Sequence, residues 1–159
     1  MSQLRVLDLM TKDVLTISEH ESLEVAEQIM EAGRVHHLPV VSHGQLIGIV
    51  TQDDLLRAAV SMFAEPSPTE ESELKRSIPV SMVMSARVTT VAPDTPALRA
   101  AELLRRHKFG CLPVVDGSRL VGIVTEGDFV DLVIHALRAD HPTLMPQEPP
   151  LDNLVALRR

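Results

Sequence analysis

Leu38-Pro39-Val40-Val41 through Thr51-Gln52-Asp53-Asp54 recurs as Leu112-Pro113-Val114-Val115 through Thr125-Glu126-Gly127-Asp128, at an offset of 74 residues. The two stretches align without a gap and are identical at ten of seventeen positions. The same offset pairs Met10 with Met84, Val14 with Val88, Thr16 with Thr90 and Ala26 with Ala100. A constant offset in a chain of 159 residues indicates one structural unit that occurs twice. A twofold repeat creates two related clefts, which need not bind a ligand equally well.

The composition favours a soluble protein whose two repeats share their cores. Units of about 60 residues are marginal as isolated domains, so we expect their apolar faces to pack against each other. The uncharged apolar runs are far shorter than the roughly 20 residues of a membrane span, so no membrane partner is expected. Cys111 is the only cysteine and the amino terminus lacks a signal-peptide pattern, which predicts a cytoplasmic location. A net charge of −7, with three Phe and no Trp or Tyr, argues against a nucleic-acid-binding surface.

Hydrophobic periodicity predicts the same order of elements in both repeats: strand, helix, strand, turn, strand, helix. In repeat 1 the first strand covers residues 14–17, and the first helix carries Leu23, Ala26, Ile29 and Met30 at helical spacing. The counterpart helix of repeat 2 is predicted to begin with Thr95 as its cap and Pro96 at its first position. The remaining predicted elements are the first strand of repeat 2 at 88–91, the buried strands 46–50 and 120–124, and the last helices at about 53–62 and 127–137.

The chain therefore divides into four parts. These are repeat 1 (residues 4–62), an acidic linker containing proline (63–78), repeat 2 (79–138) and a proline-rich carboxyl tail (139–159). Within the linker, residues 64–72 are acidic and interrupted by proline, which predicts a mobile loop. In the tail, Leu151, Leu154, Val155 and Leu157 are apolar residues that can dock on another surface.

The repeated motif Gly-Ile-Val-Thr-x-x-Asp, at 48–54 and 122–128, has two interpretations. A Thr followed three residues later by an acid, between a strand and a helix, is a capping box. Alternatively, the Thr hydroxyl and Asp carboxylate face a cleft. There the carboxylate accepts both hydrogens of a ribose diol, and the N–H groups of the helix start favour a phosphate. The glycines at 48 and 122 fit a close backbone approach or tight packing between the repeats.

With its paired Leu-Pro-Val-Val strands and paired Gly-Ile-Val-Thr-x-x-Asp motifs, the chain resembles a pair of CBS (cystathionine-β-synthase) domains arranged as a Bateman module. The resemblance covers roughly residues 4 to 138. It implies an α/β (α+β) fold of two β-α-β-β-α repeats packed by pseudo-twofold symmetry, with two clefts between them. It also implies a regulatory module whose effector is AMP, ADP, ATP or a related adenosine compound. No catalytic cofactor is implied.

The resemblance further implies roles for individual residues. Asp54 and Asp128 would hold ribose hydroxyls, and Thr51 and Thr125 would bond the ribose or the phosphate. The base would lie along the main chain near Thr16, Ile17, His37, Leu38 and Pro39 in one cleft, and near Thr90, Val91, Cys111, Leu112 and Pro113 in the other. Side chains just before Leu-Pro commonly face phosphate in this family, which suggests His36 and His37 for that role.

The histidines and the cysteine also have simpler interpretations. One of His36 and His37 can pack against the core while the other is solvated. His20, His36, His37 and His43 lack the spacing of metal ligands and have no nearby thiolate, so no metal site is predicted. Cys111 is predicted to be a small buried hydrophobe rather than a nucleophile.

Two functions remain as alternatives. One is an adenosine-nucleotide sensor that signals through a change in conformation or dimer geometry to an unidentified protein target. The other is a structural interaction module with empty clefts. No nucleophile–base pair supports an enzyme. Apolar stripes on the last helices predict a homodimer: Leu55, Leu56 and Val60, and Phe129, Leu132, Val133 and Leu137. The cleft that uses His36 and His37 is expected to respond more strongly to pH.

Overall fold

The computed structural model describes residues 3–62 and 67–140. Repeat 1 contains a short first strand, two helices and a hairpin, and repeat 2 contains the matching hairpin and helices. In chain order the elements are α1 (Val6–Leu9), β1 (Ile17–Ser18), α2 (Leu23–Gly33), β2 (His37–Ser42), β3 (Gln45–Thr51), α3 (Gln52–Met62), α4 (Pro68–Ser77), a 3₁₀ turn (Val80–Met82), α5 (Ala97–His107), β4 (Cys111–Asp116), β5 (Arg119–Thr125) and α6 (Glu126–Asp140).

The strands form one five-stranded sheet in the order β1-β2-β3-β5-β4. Each repeat supplies an antiparallel hairpin, β2–β3 or β4–β5, and the hairpins meet where Gln45 pairs with Arg119. Both hairpins carry an irregularity at the same repeat position, between Val40 and Val41 and between Val114 and Val115. The two repeats therefore share their strand register as well as their sequence. The mixed α+β fold confirms the predicted fold class.

The first helix of each repeat ends in the same way, but the two begin differently. Backbone in the left-handed region ends α2 at Arg34 (φ 52°) and α5 at Lys108 (φ 55°). The hydroxyl of Ser22 caps α2 by accepting a hydrogen bond from the Val25 N–H at 3.3 Å. The predicted Thr95 cap is wrong. Pro96 occupies the cap position of α5, and the Thr95 hydroxyl instead accepts from the Ala92 N–H, closing the preceding turn.

The first strands are shorter than predicted. In repeat 1 only Ile17 and Ser18 form β1, parallel to β2, rather than residues 14–17. In repeat 2 residues 88–91 contribute a single parallel bridge between Val91 and Val114. Residues 14–16 lie outside the ladder, and Val14 and Leu15 line the inter-repeat cleft described below.

The repeats exchange their leading segments. Helix α1 precedes repeat 1 but packs against repeat 2, where Val6 is fully buried in the core. In the same way, Ile78 and Val80 lead into repeat 2 but belong to the core of repeat 1. This reciprocal exchange joins the two small cores into one structure.

Gly48 and Gly122 permit this exchange. A Cβ on Gly48 would lie 2.7 Å from Met84 Sδ and 3.0 Å from the Ser85 carbonyl oxygen. A Cβ on Gly122 would lie 2.5 Å from Met10 Sδ and 3.1 Å from the Thr11 carbonyl oxygen. Of the two explanations offered for these glycines, the structure supports packing between the repeats.

The predicted mobile loop covers residues 64–72, and the expectation is wrong for residues 68–72, which form the first half of helix α4. The Ser67 hydroxyl accepts from the Glu70 N–H while the Glu70 carboxylate accepts from the Ser67 N–H, and Pro68 stands at the first helical position. Helix α4 then lies on α2, with Arg76 Nε 2.8 Å from Glu24 Oε2 and Lys75 Nζ 3.0 Å from Glu27 Oε2. The acidic composition suggested disorder, but the capping box and these ion pairs order the segment. Residues 63–66 and the tail leucines and valine from Leu151 onward lie outside the described residues.

Candidate functional site

The first cleft lies between the two repeats and has a volume of about 580 Å³. Repeat 1 contributes residues 13–15 and 34–37, and repeat 2 contributes Gly110, Ile123 and residues 125–128. The Thr-x-x-Asp motif of repeat 2 thus faces the segment of repeat 1 that precedes Leu38. The structure thus brings residues of both repeats to one cleft, and their contact with a ligand stays a prediction.

The second cleft, of about 410 Å³, is the pseudo-symmetric counterpart of the first. Its walls are residues 108–111 of repeat 2 and residues 51–53 of repeat 1, together with Ile49, His36 and His37. Lys108 stands here where Arg34 stands in the first cleft, and each cleft therefore has one permanent cation from a left-handed helix end.

The two Thr-x-x-Asp motifs cap their helices with the same atoms. Asp54 Oδ2 accepts hydrogen bonds from the N–H and the hydroxyl of Thr51, both at 2.8 Å. Asp128 Oδ2 accepts from the same groups of Thr125 at 2.7 and 3.1 Å. The hydrogen bonds of the motif use only Oδ2 of each carboxylate. The capping interpretation is confirmed in full for repeat 1, where the Asp54 N–H also donates to the Thr51 hydroxyl at 3.2 Å. In both motifs these bonds leave Oδ1 as an acceptor for another partner.

His36 and His37 line both clefts, whereas the sequence analysis assigned them to one, and their contact with a phosphate stays a prediction. The reason is their place at the start of β2, beside the pseudo-twofold axis. The His36 carbonyl accepts from the Gln52 N–H at 3.0 Å, which ties the pair to the second cleft. Across the axis, a Cβ on Gly110 would collide with the His37 ring. The imidazole therefore fills the space that a side chain at 110 would need.

Burial lowers the pKa of His37 below its usual value of 6.5, and the neighbouring His36 lowers it further. Asp53, Asp54 and Glu126 act in the opposite direction, but the net direction is downward. His37 is accordingly a neutral imidazole around neutral pH, able to donate one hydrogen bond and accept one. It provides a polar wall rather than a fixed charge.

The predicted site residues fall into two groups. His36, His37, Thr51, Cys111, Thr125 and Asp128 line a cleft, and Asp54 is hydrogen-bonded to one that does. The others lie outside both sets of cleft-lining residues, and most are core: Ile17, Leu38, Pro39, Val91, Leu112 and Pro113 are buried, while Thr16 and Thr90 are partly buried. Contact of a base with the main chain at these positions stays a prediction.

Sequence reasoning missed the walls formed by Val14 and Leu15 and by Phe109. Leu15 is apolar but 44% exposed, whereas its neighbour Ile17 is buried. Only the structure distinguishes these two apolar residues, so the cleft wall could not be recognised from the sequence. Arg34 and Lys108 were detectable, because they share the repeat offset and end equivalent helices.

Catalytic and metal chemistry find little support in the described residues. Burial raises the pKa of the Cys111 thiol to about 12, so it remains protonated. Its low exposure of 7% confirms the expected buried hydrophobe. In residues 3–62 and 67–140 no group of three or more His, Cys, Asp or Glu side chains is arranged to hold a metal ion. Over the same residues, no helix is both long and apolar enough to cross a bilayer.

The CBS domain model matches residues 6–61 and again residues 80–135. The chain belongs to the CBS domain family. The two matches coincide with the structural repeats, so the molecule is a tandem CBS pair.

The CBS pair is similar along its length to proteins of the same build. It is 37% identical over 139 residues to a CBS domain-containing protein of Dictyostelium discoideum, covering 86% of this chain and 96% of that protein. It is also 36% identical to a homoserine O-acetyltransferase of Methanococcoides burtonii, but there the match covers 80% of this chain and only 24% of the enzyme. Most of that enzyme therefore has no counterpart here.

Two solved structures share the fold and contain adenosine compounds. CBSX2 of Arabidopsis thaliana, in complex with AMP, superposes with a TM-score of 0.71 at 28% identity, covering 84% of this chain and 98% of CBSX2. The CBS domain pair of protein MJ0100, in complex with 5′-methylthioadenosine and S-adenosyl-L-methionine, gives 0.71 at 28% identity, covering 85% and 99%. Proteins with this fold thus accommodate both phosphorylated and unphosphorylated adenosine ligands.

Proposed function

We propose that this CBS pair is a regulatory module that binds an adenosine nucleotide (AMP, ADP, ATP or a related compound) in the clefts between its repeats. Binding would alter the relative orientation of the repeats or the geometry of a dimer. A ligand shifts such an equilibrium only through its different affinities for the two shapes. Signalling would pass to a protein target. The free Cys111 is compatible with the proposed cytoplasmic location.

The observation that carries this proposal is the pair of partly buried aspartates whose Oδ2 atoms cap a helix. The Oδ1 atoms take no part in these caps; Asp128 lines the first cleft, and Asp54 is hydrogen-bonded to Thr51, which lines the second. A carboxylate oxygen in this setting suits the two hydroxyls of a ribose. The cleft volumes of about 580 and 410 Å³ fall within the range of roughly 300–1,000 Å³ typical of small-molecule sites. The ligands of the two similar structures support adenosine as the common part.

The proposal includes a homodimer, but the apolar residues available for the dimer contact differ from those predicted from the sequence. Leu55, predicted to contribute, is only 7% exposed and belongs to the core of repeat 1, and Phe129 packs against the core of repeat 2. The apolar side chains that remain exposed on the last helices are Leu56 and Val60 on α3, and Val130, Val133, Ile134 and Leu137 on α6. Burying such a stripe against a second copy removes apolar surface from water. Sedimentation should show a dimer at micromolar concentration, and Val60→Asp combined with Val133→Asp should make it monomeric.

Thermal unfolding with added ligand tests the binding proposal. At about 100 times the dissociation constant, one independent site raises the free energy of unfolding by about 2.7 kcal/mol. Asp54→Ala and Asp128→Ala should each remove the contribution of one cleft, and the double variant should remove both. Asp131→Ala, which removes an exposed carboxylate of the same helix α6 outside both sets of cleft-lining residues, is the matched control. The absence of any shift with millimolar AMP, ADP, ATP or S-adenosylmethionine would favour a structural module with empty clefts.

A further inference from the structure

His36 and His37 occupy a position that neither repeat can duplicate. At the offset of 74 residues their counterparts are Gly110 and Cys111. Gly110 has no side chain, and the Cys111 thiol is buried and protonated. The two clefts are lined largely by equivalent positions of the two repeats, but only one pair of imidazoles lies between them.

The residues that border both clefts make this arrangement concrete. His36, His37 and Gly110 are the three residues common to the two sets of cleft-lining residues. On one side the pair adjoins Thr51 and Gln52 through sheet pairing and the His36 carbonyl hydrogen bond. On the other side the His37 ring lies against Gly110, and the Gly110 carbonyl accepts from the Glu126 N–H at 3.4 Å. A single layer of imidazole thus separates the motif of repeat 1 from the motif of repeat 2.

We infer that His36 and His37 form one anion subsite that is shared by both clefts. Each cleft has its own aspartate for a ribose and its own cation, Arg34 or Lys108, but must use the same imidazoles to donate hydrogen bonds to a phosphate. This inference rests on the proposed adenosine-nucleotide function and adds how the two sites influence each other.

The physical consequence is competition between anionic ligands. When a phosphate in one cleft engages the imidazole N–H groups, the donors left for the other cleft are fewer, and the second phosphate lies near the charge of the first. Like charges separated by a side-chain layer in a partly hydrated site oppose each other by an amount that corresponds to about a fivefold loss of affinity. A nucleoside without phosphate meets neither effect. AMP should therefore bind with negative cooperativity, while adenosine binds the two clefts independently.

Isothermal titration calorimetry with AMP and with adenosine tests the shared subsite on the whole chain. In the unmodified protein we expect a second AMP affinity about fivefold or more below the first, beyond any difference between isolated clefts. The isolated affinities come from Asp54→Ala, which leaves the first cleft, and from Asp128→Ala, which leaves the second. If the product of these two isolated AMP affinities equals the product measured in the unmodified protein, the clefts do not interact and the inference is overturned.

A double variant, His36→Gln with His37→Gln, identifies the residues responsible. We expect AMP binding to weaken in both clefts, measured in the Asp54→Ala and Asp128→Ala backgrounds, and the coupling to disappear. Adenosine affinity should fall less than AMP affinity in the same backgrounds, and a cooperative unfolding transition like that of the unmodified protein would demonstrate that the variant is folded. AMP binding that weakens in one cleft alone would show that the subsite is private to that cleft. Failure of both adenosine and AMP to bind the unmodified protein would instead refute the proposed function itself.

Discussion

Repeat 1 and repeat 2 are nearly identical where they build the frame and differ where they meet. The leucines, prolines and valines of the hairpins, the glycines at 48 and 122 and the capping motifs recur at one offset. Beside the pseudo-twofold axis, in contrast, His36 and His37 of repeat 1 face Gly110 and Cys111 of repeat 2. The His37 ring occupies the space that a side chain at position 110 would need. This difference shows that the two copies of a duplicated unit cannot keep identical residues beside the axis if one copy places an imidazole ring there.

The second difference concerns the outer faces of the first helices. Helix α2 is covered by α4 through Glu24, Glu27, Lys75 and Arg76. Among the described residues, α5 has only α1, a helix of four residues, in a comparable place, and Leu98 on α5 is 69% exposed. Repeat 1 is thus the more completely covered of the two.

The largest expected loss of stability comes from substitutions in the two cores, which test whether these unequal repeats unfold as one unit. Leu38 and Leu112 are equivalent and fully buried, each in the core of its own repeat. Replacing either by Ala should reduce the free energy of unfolding by about 2–5 kcal/mol. Because the leading segments are exchanged, chemical denaturation should show a single transition in both variants. Two separate transitions in Leu112→Ala would mean that the repeats fold independently, and Leu98→Ala serves as the exposed control.

Substitutions at the two glycines that pack against the exchanged segments should give the next largest loss of stability. Gly48→Ala and Gly122→Ala each force a Cβ against a methionine sulfur and a carbonyl oxygen from the exchanged segment. Overpacking of this kind costs about 1–3 kcal/mol. Shortening the opposing side chain, with Met84→Ala or Met10→Ala respectively, should recover part of the loss in a double-mutant cycle. If the cycle showed no coupling, the loss of stability would not arise from contact between the new Cβ and the methionine side chain.

Helix α4 should respond locally to loss of its cap. Ser67→Ala removes the acceptor for the Glu70 N–H, and the loss of an N-cap costs about 1 kcal/mol. Hydrogen exchange should accelerate over residues 68–77 and leave α5 unchanged. Arg76→Ala, which removes a largely exposed ion pair, should cost less than Ser67→Ala because surface pairs contribute about 0–1 kcal/mol. Equal acceleration in α5 would show that the cap acts globally.

The smallest expected effect is the contribution of His37 to the pH dependence of stability. The pKa of His37 is lowered by burial, so the unfolded chain takes up this proton more readily than the folded one. Stability from the neutral ring is present above about pH 6.5 and is lost as the pH falls through the lower folded pKa. His37→Gln should therefore flatten the decline of stability on acidification below pH 6.5. Denaturation at a series of pH values measures this, and an unchanged slope would assign the decline to other groups.

Particular elements show how far the sequence predicted the fold. Helices α2, α3, α5 and α6 and both hairpins were predicted because apolar residues recur at helical or strand spacing and because each of these elements appears twice. Helices α1 and α4 were not predicted. The Thr95 cap was wrong because Thr95 closes the preceding turn, a choice that spacing cannot reveal. The loop prediction for residues 64–72 failed at residues 68–72 because ion pairs with α2 and a capping box outweigh an acidic composition.

The candidate site divides in the same manner. The sequence by itself determined the twofold unit, the core leucines, the two capping aspartates and the unequal pairs at 36–37 and 110–111, because these depend on residue type and local spacing. Only the tertiary structure decided that Thr125 and Asp128 face the residues before Leu38, that α1 belongs to the core of repeat 2, and that His36 and His37 border both clefts. These features arise from the packing of one repeat across the axis of the other. Contacts between residues about 90 or more positions apart leave no signature in local periodicity.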